Sequence, residues 1–227
     1  MALTLLYHGH SNVELHFGEH RVQVDPFYTG NGLADITAAA VNPTVIFLSH
    51  AHGDHVGDAV DLSKRTGAPI VACFEMALHL EKQGAKVRGM NHGGGLNFPF
   101  GRVTMTIAFH TSTFPDGVCG GQPAGFICEI GGKVVYFAGD TALFGDMKLI
   151  GELWNIDLAC LPIGDCFTMG PAHAIKAAEL LRARKVLPIH YNTFPPIEQD
   201  AGKFVRDLRQ RTGIEGIALK AGERAAL

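Results

Sequence analysis

The stretch "LSHAHGDHVGD", Leu48–Asp58, places His50, His52, Asp54 and His55 within six residues. Imidazoles packed this closely suit neither an apolar core nor a solvated face, so the segment reads as a metal-binding turn. The apolar run before it predicts a buried strand at Val45–Leu48, and a helix is expected over Val56–Thr66. An extended backbone sends residues i, i+2 and i+4 to one side, which would gather His50, His52 and Asp54. Gly53 lets the chain turn, and His55 would then be presented from another direction. Two displaced groups of ligands suit two neighbouring metal ions better than one. A helical H-E-x-x-H zinc site would look different.

Other apolar runs also end on ligand-type side chains. "RVQVD" ends at Asp25, "MTIAFH" at His110, "VVYFAGD" at Asp140, "ACLPIGD" at Asp165 and "KVLPIH" at His190. In α/β sheets, sites form beyond the carboxyl ends of strands, where loops vary while the strands fix positions. Endings from distant parts of the chain therefore point to one shared site. Imidazole and carboxylate ligands fit zinc or manganese best, with iron or nickel as further options. The five cysteines, Cys73, Cys119, Cys128, Cys160 and Cys166, are irregularly spaced with no C-x-x-C. They read as reduced thiols, most of them in the core.

The 227 residues are 47% apolar and 18% charged, which fits one large α/β domain over residues 1–227. A formal charge of −3 supplies no basic field for nucleic acid or an anionic membrane. The N-terminal "MALTLLYHGHSNVEL" lacks the basic region of an export signal, and no apolar run is long enough to span a bilayer. A cytoplasmic protein acting on a small molecule is expected.

Strands are predicted at Thr4–Tyr7, Val13–Phe17, Arg21–Val24, Val45–Leu48, Ile70–Ala72, Lys86–Met90, Val103–Phe109, Gly125–Ile130, Lys133–Ala138, Leu158–Pro162 and Val186–Ile189. Gly131-Gly132 between two apolar runs marks a hairpin. Helices are predicted at Val56–Thr66, Glu75–Gln83, Phe144–Trp154, Ala172–Ala183 and Glu198–Thr212, with Gly67, Gly84 and Gly213 at C-terminal caps. Strands come first, then alternate with helices, and the pattern partly repeats. Sheets covered by helices follow from that order.

"SHAHGDH", "AFH" at His110, "AGDT" at Asp140 and "PIHYNTFP" at His190 together resemble the metallo-β-lactamase superfamily over essentially the whole chain. The opening "YHGHSNVEL…VQVDPF" and "PIGDCFTMGPAHA" are similar to its UlaG-like branch, which holds ascorbate-6-phosphate lactonases and uncharacterised metal-dependent hydrolases. The resemblance implies a four-layer αβ/βα sandwich, two mixed sheets with helices outside and metals at one edge. It implies a first metal on His50, His52 and His110, a second on Asp54, His55 and His190, and Asp140 bridging. It carries the expectation of a homodimer or larger assembly. The chain departs from the family pattern at Asp165, at His173 and in the loop holding His92, all of which concern the pocket rather than the metals.

The expected enzyme is a dinuclear hydrolase. A hydroxide shared by two divalent ions would attack a small ester, lactone or phosphodiester. Asp54 would also handle the proton, and His10 in "YHGHS" would touch substrate or a ligand. Asp25 is read as support for a ligand histidine or as a turn residue. Asp165 and His173 are read as pocket or loop residues, His92 as a pocket residue, and Thr141 as a cap for the Phe144 helix. The alternatives are a nuclease on the same fold, against which the acidic charge and missing RNA-binding arm argue, a di-iron redox protein, which His52 opposes, and a non-catalytic metal-dependent scaffold.

Overall fold

Strand runs without a polar face need cover on both sides, and several here have none. The computed structural model describes residues 2–227. Strands β1 (Thr4–Tyr7), β2 (Val13–Phe17), β3 (His20–Val24), β4 (Val45–Phe47), β5 (Ile70–Cys73) and β6 (Val87–Met90) lie side by side in chain order. A second sheet repeats the plan with β7 (Gly95–Phe98), β8 (Gly101–Ile107), β9 (Ala124–Ile130), β10 (Lys133–Phe137), β11 (Leu158–Pro162), β12 (Lys185–Ile189) and β13 (Glu215–Gly216). The last strand, β14 (Arg224–Ala226), returns to pair with β1 and makes both sheets seven-stranded.

Each sheet begins antiparallel and continues parallel, β3 to β6 in one and β10 to β13 in the other. The parallel strands β4, β5 and β11 are buried at every position. The sheets meet face to face, with Phe47 of β4 edge-on to Phe126 of β9 at 5.2 Å between ring centroids. Helices cover the outer faces: α2 (Ala59–Thr66) and α3 (Phe74–Lys82) on β5, α5 (Pro171–Leu180) on β11, α6 (Ala201–Thr212) on β13, and α4 (Met147–Leu153) beside α5. Each presents an apolar stripe at helical spacing, such as Met76, Ala77 and Leu80 in α3. Among the described residues no helix is long and apolar enough to cross a membrane. All five cysteines are free, with Cys119 and Cys166 exposed.

Five expectations need correction. The helix expected at Val56–Thr66 is two pieces, α1 (Gly53–Val56) and α2, separated by Gly57. The helix expected at Phe144–Trp154 contracts to α4, and that at Glu198–Thr212 starts only at Ala201, where the Asp200 side chain accepts the Lys203 N–H. Strands β7, β13 and β14 went unpredicted, because short edge strands carry no readable alternation. Thr141 is not a cap, since Asp146 occupies that position before α4. The hairpin is as expected: Gly131 and Gly132 take φ of 61° and 76° between β9 and β10.

Gly57 breaks the helix because the chain entering from β3 runs against it. Its φ is 41° and ψ −121°, and a Cβ there would lie 2.5 Å from the Pro26 carbonyl oxygen. Asp58 then secures that segment: its N–H donates to Pro26 O, and its carboxylate accepts the N–H groups of Tyr28 and Thr29. Gly57→Ala is expected to lower stability by about 1–3 kcal/mol, read as a lower urea midpoint at unchanged slope.

At the sheet edge, buried His8 donates Nδ1–H to Asp35 at 2.7 Å, and its Nε2 lies 3.6 Å from Glu14, which also meets His16 at 2.9 Å. Burial pushes His8 down, but Glu14 and Asp35 outweigh it and raise its pKa above the usual 6.5. Burial likewise pushes Glu14 up, yet His8 and His16 hold it below the usual 4.5. The His8 contribution is complete below 6.5 and fades as pH rises through its raised pKa. That of Glu14 is complete above 4.5 and fades as pH falls through its lowered one. Glu14→Gln is therefore expected to cost about 1–3 kcal/mol at pH ~5.5 and clearly less at pH ~9, measured by urea unfolding at both.

Candidate metal centre

Strands β1, β3 and β4 run in one direction in the first sheet, as do β8, β10, β11 and β12 in the second. Residues just beyond their carboxyl ends come together. Three sets of donor atoms lie within 4.8 Å of one another: His10, Asp54, His55 and His190; His50, His52 and His110; and His50, His55 and Asp140. The third set shares His50 with one of the others and His55 with the other.

Asp140, the residue three beyond β10, is the hub. Its Oδ2 lies 3.0 Å from His190 Nε2, 3.4 Å from His55 Nε2, 3.6 Å from His110 Nε2 and 3.9 Å from His50 Nε2. The nitrogens His50 Nε2 and His52 Nδ1 face each other at 2.9 Å. Asp54 does not group with His50 and His52 as an extended chain would require. It sits in the helical turn α1, which swings its carboxylate toward His10 at 3.1 Å and His190 at 3.8 Å.

A carboxylate outside the cluster fixes the tautomers. Asp25 is buried and accepts the Ser49 N–H at 2.8 Å, the Ser49 hydroxyl at 2.6 Å and His55 Nδ1–H at 2.8 Å. The same Ser49 oxygen lies 3.0 Å from His50 Nδ1 and can accept its proton. His50 and His55 are both left with Nε2 aimed at Asp140. Ser49 went unremarked in the sequence, although it directly precedes His50.

His10 is fully buried. Its Nε2 donates to Asp54, and Thr193 Oγ1 lies 2.8 Å from its Nδ1. The His10 carbonyl accepts from the Tyr7 hydroxyl and the His190 N–H, which ties the ends of β1 and β12 together. His10, Asp25 and His190 hold φ of 57°, 44° and 54°, a conformation rare for residues with side chains. Such strain gathers at sites where the surroundings hold it in place.

Burial holds His50, His52 and His110 below the usual imidazole range, so each keeps a free lone pair at neutral pH. Burial also takes His10 down to about 4, against the pull of Asp54. The two aspartates go the other way. Burial pushes Asp140 up, but His190 and His55 hold it well below the carboxylate range, and His10 and His55 do the same for Asp54. His55, between Asp140 and Asp25, is raised despite its burial. Positive charge is wanted at that point, and a metal ion supplies it as a proton does. Among the described residues, His55 Nε2, His190 Nδ1 and Asp140 Oδ1 are buried without hydrogen-bond partners. Unpaired buried donors and acceptors at one spot, in an N/O set of this kind, fit divalent metal ions.

The remaining sequence candidates lie apart. Asp165, with φ of 67°, is an exposed turn residue whose N–H donates to the Met169 carbonyl. His173 is exposed in the first turn of α5. Neither hydrogen-bonds to the cluster. Thr141 braces it instead: its Oγ1 accepts the Phe109 N–H, and its carbonyl accepts the Met169 N–H.

Residues 20–191 match the model of the beta-lactamase superfamily domain. A UPF0173 metal-dependent hydrolase of Thermus thermophilus is 54% identical over 217 residues, 96% of each chain. One from Geobacillus thermodenitrificans is 50% identical over 225 residues, 97% of this chain and 98% of that one. Among solved structures, Igni18, a metallo hydrolase of the archaeon Ignicoccus hospitalis, is similar with a TM-score of 0.92 and 34% identity over 100% of this chain and 99% of its own. The metallo-β-lactamase fold protein YhfI of Bacillus subtilis shares the fold at a TM-score of 0.76 and 17% identity, over 100% of both chains. The chain belongs to the metallo-β-lactamase superfamily and, within it, to the UPF0173 metal-dependent hydrolase family.

Proposed function

We propose that this chain is a dinuclear metallohydrolase that cleaves a small ester, lactone or phosphodiester. His50, His52 and His110 would hold one divalent ion, Asp54, His55 and His190 the other, and Asp140 would bridge. The observation that carries this reading is the Asp140 Oδ2 with four imidazole nitrogens within 3.9 Å, beside an Oδ1 that has no donor. The names of the relatives, metal-dependent and metallo hydrolases, support it. Resemblance to the UlaG-like branch supports lactones among the substrates. Zinc or manganese suits the donors best.

Divalent ions held by these residues would supply Lewis acidity, lowering the pKa of water toward neutrality and polarising the electrophile. The protein does the rest. Asp54, held ionised by His10 and His55, accepts a proton from the attacking water. His10 stays neutral and keeps the Asp54 carboxylate oriented through its Nε2–H. Asp25 holds His55, and through Ser49 His50, with Nε2 free to bind metal.

Asp140→Ala and His52→Ala are each expected to abolish turnover and lower metal content, measured by elemental analysis alongside initial rates. Full activity in metal-free protein would sink the proposal. Asp25→Asn keeps the volume but loses the charge on His55, and is expected to weaken metal binding by about 10–100-fold. Chelator competition on the folded variant measures this.

A further inference from the structure

Cations are absent from the loops around the centre. Segments 7–20, 25–44, 48–63, 107–132, 138–147, 163–175 and 190–202 contain none of the 19 lysines and arginines. Lys220 lines a different cavity with Tyr7, Gly9 and Tyr191, which none of the seven proposed ligands borders. The same loops expose large apolar side chains. Phe109, Phe167 and Phe194 are 58%, 56% and 37% exposed, on the segments after β8, β11 and β12. Phe109 rests on the buried Phe144 ring at 5.2 Å, and Phe194 stands 5.7 Å from His10.

A cavity of about 380 Å³ is walled by Ile107, Ala108, Phe109 and the proposed ligand His110, with His92 and Gln122 as its other polar members. His92 Nε2–H is taken by the Pro123 carbonyl at 3.0 Å. The size suits a small ligand. A remote phosphate or carboxylate is held in such sites by arginine or lysine, and none is within this wall. Leaving that anion unpaired against Phe109 is unfavourable.

We propose that this cavity takes the uncharged, apolar part of the substrate, so that the enzyme acts on neutral carbonyl esters or lactones lacking a remote phosphate or carboxylate. This rests on the hydrolase reading above and narrows it. In the reaction, the oxygen of water bonds to the carbonyl carbon. The acyl C–O bond breaks with its electron pair going to the alcohol oxygen, which gains one proton of that water. No other reactant is needed.

Binding tests the cavity without turnover. 3-Acetamido-N-methylbenzamide and 3-acetamidobenzoate differ in one charge and carry no ester bond to cleave. Calorimetry on metal-loaded protein is expected to show the neutral amide bound at least about tenfold more tightly. Phe109→Ala, at an exposed position, should erase most of that preference with metal content unchanged, and Gln122→Lys should shift it toward the anion. Equal or tighter binding of the anion to the parent protein, or a Phe109→Ala variant that keeps the preference, would overturn the proposal. The matching acetate esters, 3-acetoxy-N-methylbenzamide and 3-acetoxybenzoate, test the hydrolase reading separately. Failure to cleave either removes that reading, while faster cleavage of the anion removes only the neutral-substrate proposal.

Discussion

The bond from His55 Nδ1 to the buried Asp25 carboxylate is the constraint on which the centre depends. An imidazole is oriented to bind metal through one nitrogen when the other donates its proton elsewhere. Asp25 makes that commitment for His55 directly and for His50 through the Ser49 hydroxyl. The residue takes a left-handed backbone conformation to do so, and its own N–H continues the pairing toward Phe47. Register between β3 and β4 and orientation of the donor atoms are thus set by the same few groups.

Electrostatics and packing agree at this edge. Burial strips protons from His50, His52 and His110, while Asp54 and Asp140 remain ionised among imidazoles. Low dielectric strengthens both effects. Exposed Phe194 stands beside His10 and exposed Phe109 beside His110, and the flanking loops add no positive side chains. Strong chemistry at the centre and a neutral approach to it are separate properties, placed in separate parts of the chain.

Much of this was visible in the sequence because strand ends are easy to find. Buried runs such as "VIFLSH" and "VVYFAGD" announce both a strand and the ligand-type residue following it. The bend that carries Asp54 away from His50 and His52 was not visible. Nor was the break after that turn, where Gly57 lies against Pro26, a contact between segments some thirty residues apart that no local pattern records. Ser49 and Thr141 were missed as braces for a related reason. A serine or threonine beside a ligand has many ordinary uses, and only three-dimensional partners distinguish them. Asp165 and His173 had a favourable position in the chain but are exposed and make no hydrogen bond to the cluster.

The donor sets draw on both sheets: His10, Asp54 and His55 from the first with His190 from the second, and His50 and His52 with His110. An ion held by either set would stitch the two halves of the sandwich at the rim where their strands end. Along that rim the backbone is irregular, and the His190 N–H to His10 carbonyl bond is a direct link across it. Occupancy and folding then share one free energy, because ions that favour the closed rim also favour the native state. The architecture that builds the reactive centre thereby makes the same ions a clasp for the fold.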